Sequence, residues 1–252
     1  MHNQAQNISS NISSKCIKLV VQFILVSLVN LGYTLTAQAS EDAVRWTPSE
    51  DRGQVGGTLS GGRRGQEAAC ETTEDSTQLT LLVPSSGESL LTTVANPTFS
   101  WHIATQTATE MEFVLFDPRQ AAPIYSQTVQ ANTRDLISVS LPMDKALEAG
   151  IRYRWTVIAN CPDGTNREIY TRSFIERQDR ATLDQVLINS SSLDQAVAYA
   201  AEGIWYDALG QLLDARSQEP DNIKVQAALE SLLHQAMSEE AEAYLAMLLI
   251  HP

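Results

Sequence analysis

Basic residues are scarce in this chain. Its 17 lysines and arginines stand against 30 aspartates and glutamates, a formal net charge of −13. Nucleic-acid phosphates would be repelled, so no nucleic-acid partner is expected. Anionic membrane surfaces are disfavoured on the same ground, and an acidic surface serves solubility. Histidine is rarer still, with four residues. His102, His234 and His251 show no metal-ligand spacing, and no metal site is expected. Gly-x-Ser-x-Gly is absent, which removes the serine elbow. The glycine-rich "GQVGGTLSGGRRG" (53–65) lacks the Gly-Lys-Ser/Thr end of a Walker loop, and no apolar strand precedes it. A phosphate cradle is therefore excluded. No residue presents itself as catalytic or cofactor-binding, and the expectation is a protein that is not an enzyme and has no cofactor.

The N-terminus has a different character. Lys15 and Lys18 precede the apolar run "IKLVVQFILVSLVNLGYTL" (17–35), and Ala37-Gln38-Ala39 follows. This is the layout of a secretory signal peptide over 1–39, cleaved after Ala39, with a retained anchor as the alternative. No lipobox surrounds Cys16. Cleavage would leave 15 basic residues against 30 acidic ones, a formal charge of −15. No later segment is long and apolar enough to span a bilayer. The expectation is an exported protein, periplasmic or extracellular, without stable membrane insertion once the signal is removed.

Of three cysteines, two would survive cleavage, Cys70 and Cys161. An even pair in an exported chain favours a disulfide. Closing so long a loop is worth on the order of 4 kcal/mol in chain-entropy terms. Residues 40–69 lack apolar periodicity and read as a disordered Gly/Arg-rich linker.

From Gln78 to Glu176 apolar residues recur with period two. Seven segments carry the pattern: 78–83, 97–103, 110–117, 123–130, 136–142, 151–161 and 167–176. Short strands at this spacing predict an antiparallel β-sandwich over 70–177. Phe99, Trp101, Ile103, Tyr153, Trp155 and Val157 share the inward phase, whereas His102 falls on the outward phase and is expected in solvent. Glu110 and Glu112 share an outward face about 7 Å apart, a spacing a glycosidase could use. An exposed strand face accounts for them equally well. The stretch "LEAGIRYRWTVIA" (147–159) resembles the strand-F signature of fibronectin type III and other Ig-like modules. The resemblance implies Tyr153 as a tyrosine-corner residue and Trp101 as a core tryptophan of the opposite sheet.

Beyond Glu176 the period becomes helical. Thr182/Gln185 and Ser192/Gln195 stand at capping-box spacing, and Asp221-Asn222 precede "IKVQAALESLLHQ" (223–235). Tyr199, Gly203, Ala208, Leu212, Ala215 and Pro220 fall at the intervals of a tetratricopeptide (TPR) unit. A final amphipathic segment, 238–250, would complete a second pair. The expected fold is therefore mixed β + α, an Ig-like sandwich followed by a TPR-like helical region over 178–252. Within "EGIWYDALGQL" (202–212), Trp205 and Tyr206 are expected chiefly as helix-packing residues, with contact to a partner as the alternative. Two helical units are fewer than a free-standing array needs, so the helices must lean on the sandwich or on a partner.

Four motifs together resemble an uncharacterised family of exported cyanobacterial proteins, domain of unknown function 928. They are "GGTLSGGRRG" before Cys70, "LTLLVPSSG" (79–87), "NPTFSWHI" (96–103) with "YRWTVIANC" (153–161), and "YAAEGIWYDAL" (199–209). The resemblance implies an exported protein and carries over no catalytic residue. The functional expectation is a cell-envelope binding or scaffold protein whose partner is another envelope or extracellular protein. The alternative is a hydrolase or carbohydrate-binding protein acting on cell wall or exopolysaccharide.

Overall fold

A computed structural model describes residues 44–48, 67–71, 76–84, 90–132, 134–161 and 167–236. All belong to one unit, Asp42–Pro252. The expected signal segment 1–39, the glycine run 53–65 and the segment 238–250 lie outside the described residues.

Among the described residues, nine strands form two sheets. The first has the order β1 (Glu67–Glu71), β2 (Ser76–Leu81), β4 (Thr98–Ala104), β7 (Arg134–Ser140). The second runs β3 (Leu90–Thr92), β9 (Glu168–Arg177), β8 (Arg152–Asn160), β5 (Thr109–Phe116), β6 (Tyr125–Ala131). The seven segments of period-two pattern correspond to β2 and β4 to β9, displaced by a few residues at their ends. The exception to an antiparallel arrangement is β3, which pairs parallel to β9. It arises where the chain crosses from the first sheet to the second, and its three residues are too few to show alternation.

Side-chain alternation puts Leu79, Leu81, Phe99, Trp101 and Ile103 of one sheet against Met111, Phe113, Leu115, Trp155, Val157 and Ala159 of the other, all buried. Phe99 and Phe113 meet with centroids 4.9 Å apart, and Trp101 stacks on Phe113 at 6.0 Å. The Tyr153 hydroxyl accepts from the backbone N–H of Glu148, five residues upstream, at 3.1 Å. His102 corrects its expectation: it is 1% exposed. Its strand is central in the first sheet, flanked by Thr80 of β2 and Leu136 of β7, and nearly all of β4 is buried on both faces.

Cys70 on β1 and Cys161 just past β8 form a disulfide, with Cα atoms 5.8 Å apart. It ties an edge of the first sheet to the second. The expected 40–69 linker needs correction at both ends. β1 begins at Glu67, and Val44 is buried in the core. Val44–Pro48 is held by the helices: Thr47 N–H donates to Ala200 O (3.1 Å), and Trp46 N–H donates to Gln235 Oε1 (2.9 Å). Ser231 Oγ and Gln235 Nε2 both donate to Val44 O. A stretch of five residues with one Val and one Trp is too short for periodicity to reveal.

Four helices follow among the described residues: α1 (Ala181–Leu187), α2 (Ser192–Ala201), α3 (Trp205–Gln218) and α4 (Ile223–Ala236). The Thr182/Gln185 box does not form, because the N-cap position of α1 falls at Arg180, two residues earlier, without a side-chain cap. The second cap shifts by one: Ser191 Oγ accepts from Asp194 N–H at 3.1 Å. Asn222 caps α4, its Oδ1 accepting from Lys224 N–H at 3.0 Å. Gly203 sits between α2 and α3 with φ +72°, a left-handed conformation that favours glycine at this sharp turn. The buried stripes follow helical spacing, with Ala196, Tyr199 and Ala200 on α2 and Val225, Ala228, Leu229, Leu232 and Leu233 on α4.

Two outcomes test this architecture. Cys70→Ser should lower stability by about 2–5 kcal/mol in oxidised protein and change nothing in reduced protein, read from denaturant melts under both conditions. Ala208 is 0% exposed on α3, so Ala208→Leu should overpack the site by about 1–3 kcal/mol and lower the melting temperature.

Candidate functional site

The densest gathering of polar chemistry among the described residues lies where α3 enters the sandwich. Three consecutive side chains of its first turn do the joining. Trp205 is 0% exposed, and its Nε1 donates to Leu82 O at 2.9 Å, reaching the end of β2. Trp46 packs edge-on against it, centroids 5.0 Å apart. Tyr206 enters between the sheets. Its hydroxyl accepts from Trp155 Nε1 at 2.6 Å and donates to Phe174 O at 3.3 Å, while its ring lies edge-on to Phe99. Burial pushes the Tyr206 phenol well above its ordinary pKa, against the pull of its hydrogen bonds to Trp155 and Ser173.

Partner contact by Trp205 and Tyr206 is thereby corrected. Both are buried within the protein's own seam, because an amphipathic ring with one polar atom suits a junction that offers a carbonyl or a second ring N–H. Of the two expected supports for the helices, the sandwich is the one the structure shows.

Asp207, third in the run, is 7% exposed. Its Oδ1 accepts from Thr92 Oγ1 at 2.5 Å, and its Oδ2 accepts from Thr93 N–H at 2.8 Å and Thr93 Oγ1 at 2.6 Å. This pins β3 to α3. Thr93 Oγ1 also stands 3.2 Å from Asp184 Oδ1 on α1, and Tyr199 of α2 donates to that same oxygen at 3.1 Å. Burial raises the pKa of Asp207, opposed by the threonine bonds and assisted by the charge of Asp184. Burial and the same aspartate push Tyr199 up to about 12. From β9, Arg177 Nε donates to Thr93 O at 3.2 Å, bringing the nearest guanidinium to the backbone of the cluster.

Hydrogen bonds from hydroxyls and an amide N–H to the carboxylates of Asp207 and Asp184 tie α3 and α1 to the end of β3 and the residue just past it. Both oxygens of Asp207 are occupied by donors from Thr92 and Thr93, at the end of β3, and the group is buried. The described residues include no group of three or more His, Cys, Asp or Glu that could hold a metal. A second clamp lies at the end of β5. Arg119 forks onto Asp117 at 2.6 Å and Glu148 at 2.8 Å, and its hydrogen bonds hold both carboxyls below their ordinary range. Glu110 and Glu112 are exposed on β5, and Glu110 Oε2 accepts from Gln130 Nε2 at 2.9 Å.

Sequence reasoning passed over Asp207, Thr92, Thr93 and Asp184. The usable signal was an aspartate inside an otherwise apolar helical run, "IWYDAL", since a carboxylate there requires buried donors.

The seam makes two predictions. Asp207→Ala strands the Thr93 N–H and the Thr92 hydroxyl, and should cost about 3 kcal/mol, read from denaturant melts. A raised carboxyl pKa means that the folded state binds more protons than the unfolded one above pH 3.8. Asp207 should therefore lower stability as pH rises from 3.8 through its raised pKa, with no further change above. Asp207→Asn should flatten that slope when melting temperature is followed against pH. The opposite slope at more acid pH, from Asp117 and Glu148 losing their bonds to Arg119, should persist in the variant.

No curated protein matches the chain. One family model does, Domain of Unknown Function (DUF928), over residues 59–244. The match takes in the sandwich, the disulfide and the helices that close the seam, well over half of the sequence. The chain therefore belongs to the DUF928 family.

Proposed function

We propose that the protein is an exported cell-envelope binding or scaffold protein with no catalytic activity of its own, in which a fibronectin type III-like sandwich carries a TPR-like helical pair. The observation that carries this reading is the sealed state of the Asp207 seam. Its paired carboxylates join α3 and α1 to β3 and leave no open oxygen of Asp207 to meet a substrate. The Ig-like part of the reading is supported by the strand orders of the two sheets and by the Tyr153–Glu148 bond, which has the form of a tyrosine corner. The TPR-like part is supported by the positive φ of Gly203, the full burial of Ala208 and the end of α3 at Gln218, just before Pro220. None of the helices among the described residues is long and apolar enough to cross a membrane.

The test is complementation of a deletion strain, scored on the envelope phenotype. Intact mass of the protein recovered from its host should give an N-terminus at Ser40. Asp184→Asn keeps the shape of a half-buried side chain and should complement fully with an unchanged melting temperature. A folded Asp184→Asn protein that fails to complement would assign the seam a chemical role and overturn the reading, as would recovery of a full-length, membrane-embedded species.

A further inference from the structure

One end of the outer face of the five-stranded sheet gathers arginines, with Glu176 opposite Arg152 across the β8–β9 ladder. Arg152 and Arg154 alternate outward along β8 while Tyr153 and Trp155 point into the core. Two residues apart on one strand, they lie about 7 Å from each other. Across the ladders, Arg154 pairs with Phe116 of β5 and Phe174 of β9, and Thr156 pairs with Arg172. Three arginines therefore cluster at one end of the face. The Arg154 guanidinium lies over the Phe116 ring, 4.5 Å from its centroid, and its Nε is buried without a hydrogen-bond partner among the described residues. Among the described residues, none of the three arginines has a carboxylate within ion-pair distance. Further along the face Tyr170 is 40% exposed beside Ile158. The far end is acidic, with Glu110, Glu112 and Glu168 all exposed.

A face of this kind selects its ligand by charge pattern. Guanidinium forks match planar carboxylates in a bidentate way, and a guanidinium already held against a ring loses less freedom on binding. Aromatic faces between them suit the flat C–H surface of a sugar ring. The acidic end accepts hydrogen bonds from the hydroxyls that accompany the carboxylate on each uronate ring. We infer that the outer face of the β8–β9–β5 sheet binds a carboxylate-bearing polysaccharide, with uronate groups on Arg152, Arg154 and Arg172 and sugar rings on Phe174 and Tyr170. This assignment rests on the binding reading above and names its ligand class.

The test uses the exported chain, residues 40–252, titrated calorimetrically with polygalacturonate. Its fully methyl-esterified form and single-stranded DNA serve as comparison polymers. Polygalacturonate should bind, and esterification should weaken it at least tenfold, because the carboxylates are lost while the rings remain. Arg172→Gln and Arg154→Gln should each weaken binding at least tenfold with melting temperatures unchanged. Arg45→Gln, on the strap beside the helices, should leave binding as it is. If Arg154→Gln disturbs folding through loss of its Phe116 contact, Arg172→Gln still decides the matter. Equal affinity for the ester, no effect of Arg172→Gln, or tighter binding of DNA would overturn the assignment. Absence of polygalacturonate binding, with Asp184→Asn still complementing, overturns the polysaccharide and leaves the binding reading standing. Polygalacturonate binding together with failure of Asp184→Asn to complement does the reverse.

Discussion

Everything that follows the sandwich depends on how the first turn of α3 is buried. A helix start normally leaves backbone donors and polar side chains in water. Here Trp205, Tyr206 and Asp207 are all buried, and each meets a different part of the sandwich: Leu82 at the end of β2, the β8–β9 pair, and β3. Three consecutive residues on a helix point in three directions about 100° apart. Such a turn is fully buried only by entering a socket, which the open end of the two sheets provides. Tyr206 engages both sheets, through Phe99 on one side and Trp155 on the other.

This constraint explains features that otherwise look unrelated. β3 is only three residues long, yet all three are buried, because it is held by β9 on one side and by Asp207 at its end. Gly203 must turn in the left-handed region so that α3 can enter the socket while α2 lies outside it. Val44–Pro48 crosses the back of the same turn, where Trp46 covers Trp205. Arg177 joins the end of β9 to the Thr93 and Leu147 carbonyls, closing the rim around the cluster. Buried polar contacts of this kind cost desolvation and reward geometry, so they specify one docking pose more than they add stability.

The two sheets divide the labour. The first is tied to β8 by the disulfide and has a central strand buried on both faces. The second contributes one face to the core and turns arginines and aromatic rings outward on the other. A chain with so few basic residues that clusters three of them on one sheet face has a charge asymmetry that net charge alone conceals.

Much of this was legible in the chain of letters. Period-two alternation identified seven strands and the inward phase of Phe99, Trp101, Tyr153 and Trp155, because a half-buried strand repeats its environment every second residue. Cys70 and Cys161 paired as their number and context suggested, and Gly203 and Pro220 marked the limits of α3. Local pattern could not show what distant segments do to one another. His102 has the phase of a surface residue and is buried because its strand is central. β1, β3 and Val44–Pro48 are too short to carry a period and are ordered by their neighbours. Trp205 and Tyr206 look alike as partner anchors or as core, and only the socket decides. Asp207 draws its donors from residues more than a hundred positions away. The arginine cluster likewise exists only once β8 and β9 lie side by side. The sequence by itself determined the periodic elements and their inward faces, since those arise from neighbours along the chain. The seam and the charged face were left to the tertiary structure, because both are made of contacts between strands and helices that no local pattern encodes.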